Sequence, residues 1–341
     1  MRRARFLAAI TTAAFLAGGT LLLASGPLGL APALAGASCA QAGTTGLTAK
    51  VVATGGEHIT GRVDATGCDV GVYVGPGVTG VVISGATITG ANDHAIFIED
   101  TTRVVVEQST ITHNGLAPAK GVGEAKAVAL VGTRGVIVRD NLVTGNLHGG
   151  IEVNDDGSLD PGAPNPGTPS PAVGNTISRN RVIGNVGDCG IVIAAYNPGQ
   201  GVARNIVADN TVADGEPGAI IVAADPPGAS ATDNAVLGNI VRGNLLPGII
   251  VHSNAPNDTV TGTLVLDNTI SGNGPDPEAA GKAGPTKPTG ILVVGEVAPV
   301  TGTDLVDNRI SDEYWGIWES NTSGTLQVLG GFDHATAPVY P

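Results

Sequence analysis

The chain has 341 residues and a formal net charge of −13. That balance excludes nucleic acid and anionic lipid as partners, since both demand basic surfaces, and it makes a polyanionic substrate workable only with a bridging cation. Aromatic residues make up 3% of the chain while glycines number 52, which points to a narrow aliphatic interior with many tight turns.

Residues 1–35 read as an export signal. Arg2, Arg3 and Arg5 form a basic start, Phe6 to Leu34 is apolar, and Ala33-Leu34-Ala35 is a small-residue cleavage site. The protein is therefore expected to be secreted. The apolar run is also long enough for an uncleaved membrane anchor, which is the alternative reading. Without the signal, 14 Lys and Arg face 30 Asp and Glu, a net charge near −16.

Residues 36–78 are expected to form an N-terminal cap and first rung. Cys39 and Cys68 flank this segment, and outside the cell a disulfide between them is the preferred pairing. It would protect the first rung (Val70, Val72, Val74) from edge-to-edge association. Cys189 reads as a free thiol lodged in a turn. No Cys/His spacing fits zinc.

Residues 79–323 carry an internal repeat. Asn141-Leu-Val-Thr-Gly, Asn180-Arg-Val-Ile-Gly, Asn210-Thr-Val-Ala-Asp, Asn239-Ile-Val-Arg-Gly, Asn268-Thr-Ile-Ser-Gly and Asn308-Arg-Ile-Ser-Asp are its copies, with Ala86 and Ser109 in the same place earlier. The steps between the six asparagines are 39, 30, 29, 29 and 40 residues. A second segment aligns downstream: Ala95-Ile96, Ala127-Val128, Gly150-Ile151, Gly190-Ile191, Ala219-Ile220, Gly248-Ile249, Gly290-Ile291 and Gly316-Ile317. A third aliphatic column stands three residues before the asparagine, from Ile83 and Val106 to Val265 and Leu305. These segments are too short for helices, and they alternate with a period of two in Val and Ile, so they read as strands. A repeat of this length built from strands and tight turns implies an all-β, right-handed parallel β-helix, a single solenoid of about nine to ten rungs. The asparagines are expected to stack as a hydrogen-bonded ladder and to occupy the left-handed backbone of a turn. Residues 324–341 are expected to close the stack as a C-terminal cap.

The pattern N-x-[IV]-x-[GD] followed by G-I-x-[IV] resembles the repeat of pectate-lyase-like proteins and of the accessory proteins of nitrous-oxide reductase, over roughly residues 47–330. The resemblance implies the fold. It does not imply one activity, since the same coil serves lyases, hydrolases, epimerases and adhesins. The spaced aspartates, Gly-His-Gly and Arg-x-Lys of polygalacturonases are missing, as is the Asp-Pro-His-Asp of alginate epimerases. A copper role would want Met or His clusters, and Met1 is the only methionine.

Three insertions depart from the repeat: Gly115 to Ala125, Asp155 to Gly174 and Gly274 to Thr289. Beside them lies the densest polar group of the chain: Asp93, His94, Glu99 and Asp100, then Glu124 and Lys126, then His148, Glu152, Asn154, Asp155 and Asp156. Glu152 stands on the outer face of its strand, where other rungs carry Phe97, Ala129, Val192, Ile221, Ile250 and Leu292. With rungs about 4.8 Å apart, such groups can converge in one groove. Glu152, Asp155 and Asp156 would then hold calcium or act as an acid/base pair, with Lys126 or His148 as base. The alternative is that they are the solvated carboxylates of an acidic protein. Val192, Ile221, Ile250 and Leu292 form an outer apolar strip, expected to be covered by a loop or to dock a partner. Trp318 ends the strip, and Tyr314, Trp315 and Trp318 are candidates for stacking on sugar rings.

The favoured reading is a secreted, non-catalytic module that binds carbohydrate or serves a structural role at the cell surface, its partner a polysaccharide or another cell-envelope component. The second is a polysaccharide lyase or glycoside hydrolase with an acidic groove on rungs two to four.

Overall fold

Two sides of the coil are built from five residues each. In Asn205-Ile-Val-Ala-Asp and Asn234-Ala-Val-Leu-Gly an asparagine opens the side, three residues extend as a strand, and the fifth turns the corner. The middle strand residue points inward, so Val207, Val236 and Val265 stack in register and are fully buried. The corner residue is left-handed: φ is 56° at Asp209, 57° at Asp140 and 55° at Asp267, and Gly238 takes the same place with 62°. Asp and Gly are the residue types that adopt this conformation at low cost. The expectation that the ladder asparagines themselves are left-handed is corrected here. Positive φ belongs to the residue before each of them.

The computed structural model describes residues 38–117, 126–155, 170–215, 218–275, 287–328, 330–333 and 337–340. The expected export signal and Asp156 lie outside these residues, as do most of the three insertions. Among the described residues there is no helix, and so none long and apolar enough to cross a membrane.

The chain winds as the expected right-handed parallel β-helix. Its anchor strands (Ile96–Glu99, Val128–Val131, Ile151–Asn154, Ile191–Ala195 and their successors) form a 12-stranded sheet. An 18-stranded sheet takes two strands from most coils, on either side of the repeat asparagine, and a 6-stranded sheet closes the section. The stack continues past the repeat at both ends. Thr48–Val52 pairs in parallel with Val70–Val74, and Ala40–Gln41 folds back antiparallel on it. At the other end Leu326–Val328, Gly331–Asp333 and Ala337–Tyr340 add parallel strands. Cys39 and Cys68 form a disulfide with a Cα–Cα distance of 5.6 Å, and they pack with Ala65 and Ala91 at the first coils. Glu319 occupies the inward column after Val293, where its carboxylate accepts hydrogen bonds from Gln327 and Thr322.

Three corners of the coil are held by side-chain amides. In the repeat column, Asn141, Asn180, Asn210, Asn239, Asn268 and Asn308 form a continuous chain in which each Nδ2 donates to the next Oδ1 at 2.9–3.0 Å. The main-chain N–H of each donates to the same oxygen. Two further columns stand five residues to either side. Asn175, Asn205 and Asn234 bond in the same way, and Asn244 bonds to Asn273 and Asn273 to Glu313. The Glu313 carboxyl is 3% exposed, and burial pushes it up to about 7.

Replacing Asn210 with Leu removes the acceptor for two Asn180 donors and the donor to Ile177 O and Asn239 Oδ1. Each buried partner left unmet costs about 1–3 kcal/mol. Chemical denaturation should show a loss of at least about 3 kcal/mol, with ligand binding unaltered.

Candidate functional site

The polar group found in the sequence divides in two in the fold. Lys126, His148 and Asp188 sit on the turns that lead into three successive anchor strands, and Glu152 stands on the middle one, between Ala129 and Val192. Asp155 lies at the far end of that strand and belongs elsewhere. Its two carboxylate oxygens accept the main-chain N–H groups of Tyr196 (2.7 Å) and Asn197 (3.3 Å), so it fastens the following turn. Glu99 accepts from the Tyr73 hydroxyl, and Asp100 interacts with Ser170.

The first group is a buried charge cluster. The Lys126 ammonium is paired with the Asp188 carboxylate, their side chains being 1% and 19% exposed. The Lys126 main-chain N–H donates to His94 Nδ1 at 3.1 Å. The His94 ring is stacked on Phe97, with centroids 5.0 Å apart, and its Nε2 stands 3.6 Å from Asp93. Glu152 is 2% exposed, and its Oε1 has no hydrogen-bond partner among the described residues. Burial raises the Glu152 carboxyl above the ordinary range, against the pull of Lys126. Burial lowers the half-exposed His148, which favours the neutral ring. Cys189 is buried beside Asp188, and burial raises its thiol. An un-ionised thiol is a poor nucleophile.

This geometry corrects the expectation of one open groove. Lys126, Glu152 and Asp155 are 1%, 2% and 0% exposed, and Asp155 faces the turn at Tyr196 rather than Glu152. Of the catalytic candidates among the described residues, His148 alone keeps partial access to solvent, and the neighbouring Asp188 keeps some as well. Calcium does not fit the expected set either. Asp155 spends both oxygens on main-chain N–H groups, and Glu152 already faces an ammonium. Among the described residues no group of three or more acidic, His or Cys side chains is arranged to hold a metal ion. Asp188 escaped the sequence reading. The signal was its alignment with His148, each standing three residues before an anchor isoleucine.

The outer strip is in the expected register, Val192, Ile221, Ile250, Leu292 and Trp318 pairing from strand to strand. It is covered. Leu246 and Trp315 pack on Ile250 and Leu292, and Tyr196 packs on Val192. Trp318 is itself buried in this cluster, edge-on to Trp315 at 5.4 Å, so it offers no face to a sugar ring. Tyr314 is 38% exposed and has the Lys287 ammonium 5.7 Å over its ring.

Residues 51–227 match the family model described as the right-handed beta helix region, over half of the chain. The protein belongs to this right-handed β-helix family. No curated protein matches it in sequence. Among solved structures it is similar to PfbA, a surface adhesin of Streptococcus pneumoniae, at 13% identity over 86% of this chain and 84% of that one, with a TM-score of 0.49. The A-module of the Azotobacter vinelandii mannuronan C-5 epimerase AlgE6 gives 14% identity, coverage of 79% and 67%, and a TM-score of 0.41. The catalytic domain of a GH87 alpha-1,3-glucanase gives 13% identity, 86% and 60%, and 0.35. No residue role transfers at these identities.

Asp155 supplies a pH test. Burial outweighs its main-chain hydrogen bonds and raises the carboxyl to about 6, against 3.8 for the free group. The stability gained by keeping it protonated is complete below pH about 4 and is lost as pH rises through about 6. Between pH 4 and pH 7.5 the wild type should therefore lose on the order of 2–3 kcal/mol relative to Asp155→Asn, measured by denaturant titration across that range.

Proposed function

We propose that the protein is an exported, non-catalytic β-helix module that holds a polysaccharide or another cell-envelope component on its outer surface. One observation carries this reading. The groups that would have to work on a sugar chain, Lys126, Glu152 and Asp155, lie inside the molecule and are engaged by each other or by the main chain. What faces solvent instead is a repetitive surface. On the long sheet Arg181, Thr211, Ile240, Thr269 and Arg309 stand in register, half-buried or exposed. Hydroxyl and guanidinium groups on coils about 4.8 Å apart, with the exposed Ile240 between the two threonines, suit the hydroxyls and apolar face of an extended neutral glycan. The net charge near −16 disfavours a polyanionic one.

A polysaccharide lyase or glycoside hydrolase is the second reading. His148 favours it, being neutral, partly open to solvent and next to the Lys126–Asp188 pair, as a general base should be.

A glycan array with and without a calcium chelator separates the two, with product release assayed on the same polysaccharides. We expect binding to neutral glycans, unchanged by chelation, and no new chain ends. Failure to bind any glycan would sink the carbohydrate link and leave a structural role. Release of reducing or unsaturated ends would overturn the non-catalytic reading.

A further inference from the structure

We propose that Lys126 and Asp188 are joined by a covalent amide that the folded chain makes for itself, with Glu152 carrying the proton. The two residues are 62 positions apart in sequence and two coils apart in the stack, yet Lys126 Nζ meets Asp188 Oδ2. The coil between them makes room. Gly149 stands level with Lys126 on one side and Cys189 on the other, and its φ is +79°. A Cβ there would come within 2.6 Å of Cys189 O and 3.2 Å of Asp188 Cβ. A side chain there would push against the turn that carries Asp188, so a glycine lets that turn sit close to the middle coil.

The surroundings supply the chemistry. A lysine side chain 1% exposed has lost its water shell. Desolvation penalises ammonium and carboxylate alike, so the pair is driven toward neutral amine and neutral acid, a nucleophile facing an electrophile. Glu152 lies on the strand between them, with Lys126 and Asp188 as the charged groups that act on it. Its Oε1 is buried and lacks a hydrogen-bond partner among the described residues.

In the reaction the Nζ lone pair forms a bond to Asp188 Cγ. Glu152 accepts a proton from the nitrogen and returns one to the departing hydroxyl. The Cγ–O bond breaks and one water leaves. Ammonium plus carboxylate thus become amide plus water, with no redox change and no co-reactant. The Asp188 side chain, 19% exposed, gives that water an exit, while burial of Lys126 limits hydrolysis of the product. The link would span the 39-residue step from Asn141 to Asn180, where an insertion lengthens the coil.

Mass spectrometry of the full-length protein, reduced and denatured, tests this directly, with the N-terminus read from the same digest. The expected mass is that of the sequence less one water. Trypsin should fail to cleave after Lys126 and should leave the peptides carrying Lys126 and Asp188 joined. An unshifted mass with free peptides overturns the proposal, whatever the variants do. So does loss of water confined to Asp188 as a cyclic imide, which leaves the peptides separate. Lys126→Arg should abolish the link, and Glu152→Gln should leave most of the chain unlinked. An Asp188→Asn chain should still link, losing ammonia instead of water. Full linkage in a folded Glu152→Gln protein would overturn the role given to Glu152.

Discussion

One carbonyl oxygen receiving two N–H groups is the interaction on which this molecule rests. At each repeat corner the main-chain and side-chain donors of one asparagine converge on the Oδ1 of the asparagine one coil later. A corner takes the main chain out of the strand ladders on either side, so its polar groups would otherwise be buried without partners. Asparagine is suited to the place because it carries a donor and an acceptor on one short planar group. Aspartate cannot donate. With the corners fixed, the register of every strand follows, and valines and isoleucines stack into one core.

The buried charge cluster is the place where this regularity gives way. The outward column runs Tyr73, Phe97, Ala129, Glu152, Val192, Ile221, Ile250, Leu292 and Trp318, and Glu152 is its one carboxylate. A carboxyl placed in an apolar column is costly unless it is neutral or faces a cation. Here both conditions operate, since burial favours the protonated form and Lys126 stands nearby. Such a group persists most readily where it has a task. The cross-link gives it one, and an amide would leave a permanent chemical trace.

The fold was largely legible because its rules are short-range. Alternation of Val and Ile identifies strands, and recurrence of Asn141 to Asn308 identifies coils. The same rule, applied five residues either way, would have found the Asn175 and Asn244 columns. The left-handed residues were misassigned because Asn and Asp share a tolerance for positive φ, and the pattern does not say which of two neighbours turns. The site was less legible for a different reason. Exposure of Glu152 depends on what covers the outer face, and the pairing of Lys126 with Asp188 joins turns two coils apart. Neither is a property of a local segment. Asp155 looked like a catalytic partner of Glu152 because they are three residues apart. The strand ends between them, and the fold sends Asp155 to a turn.

The amide columns also have a direction. In the amide-to-amide links every asparagine donates to the asparagine one coil toward the C-terminus and accepts from the one before it, while its second Nδ2 proton goes back to a main-chain carbonyl. A chain emerging from its N-terminus therefore always presents waiting donors to the coil that comes next, and each new asparagine both satisfies them and renews the offer. Glu313 satisfies Asn273 and, with its free oxygen turned inward, passes nothing on. Amide and carboxyl thus behave as the words continue and stop in a one-dimensional grammar. The acid ends its own column only, for the strands Leu326–Val328 and Gly331–Asp333 still stack beyond it.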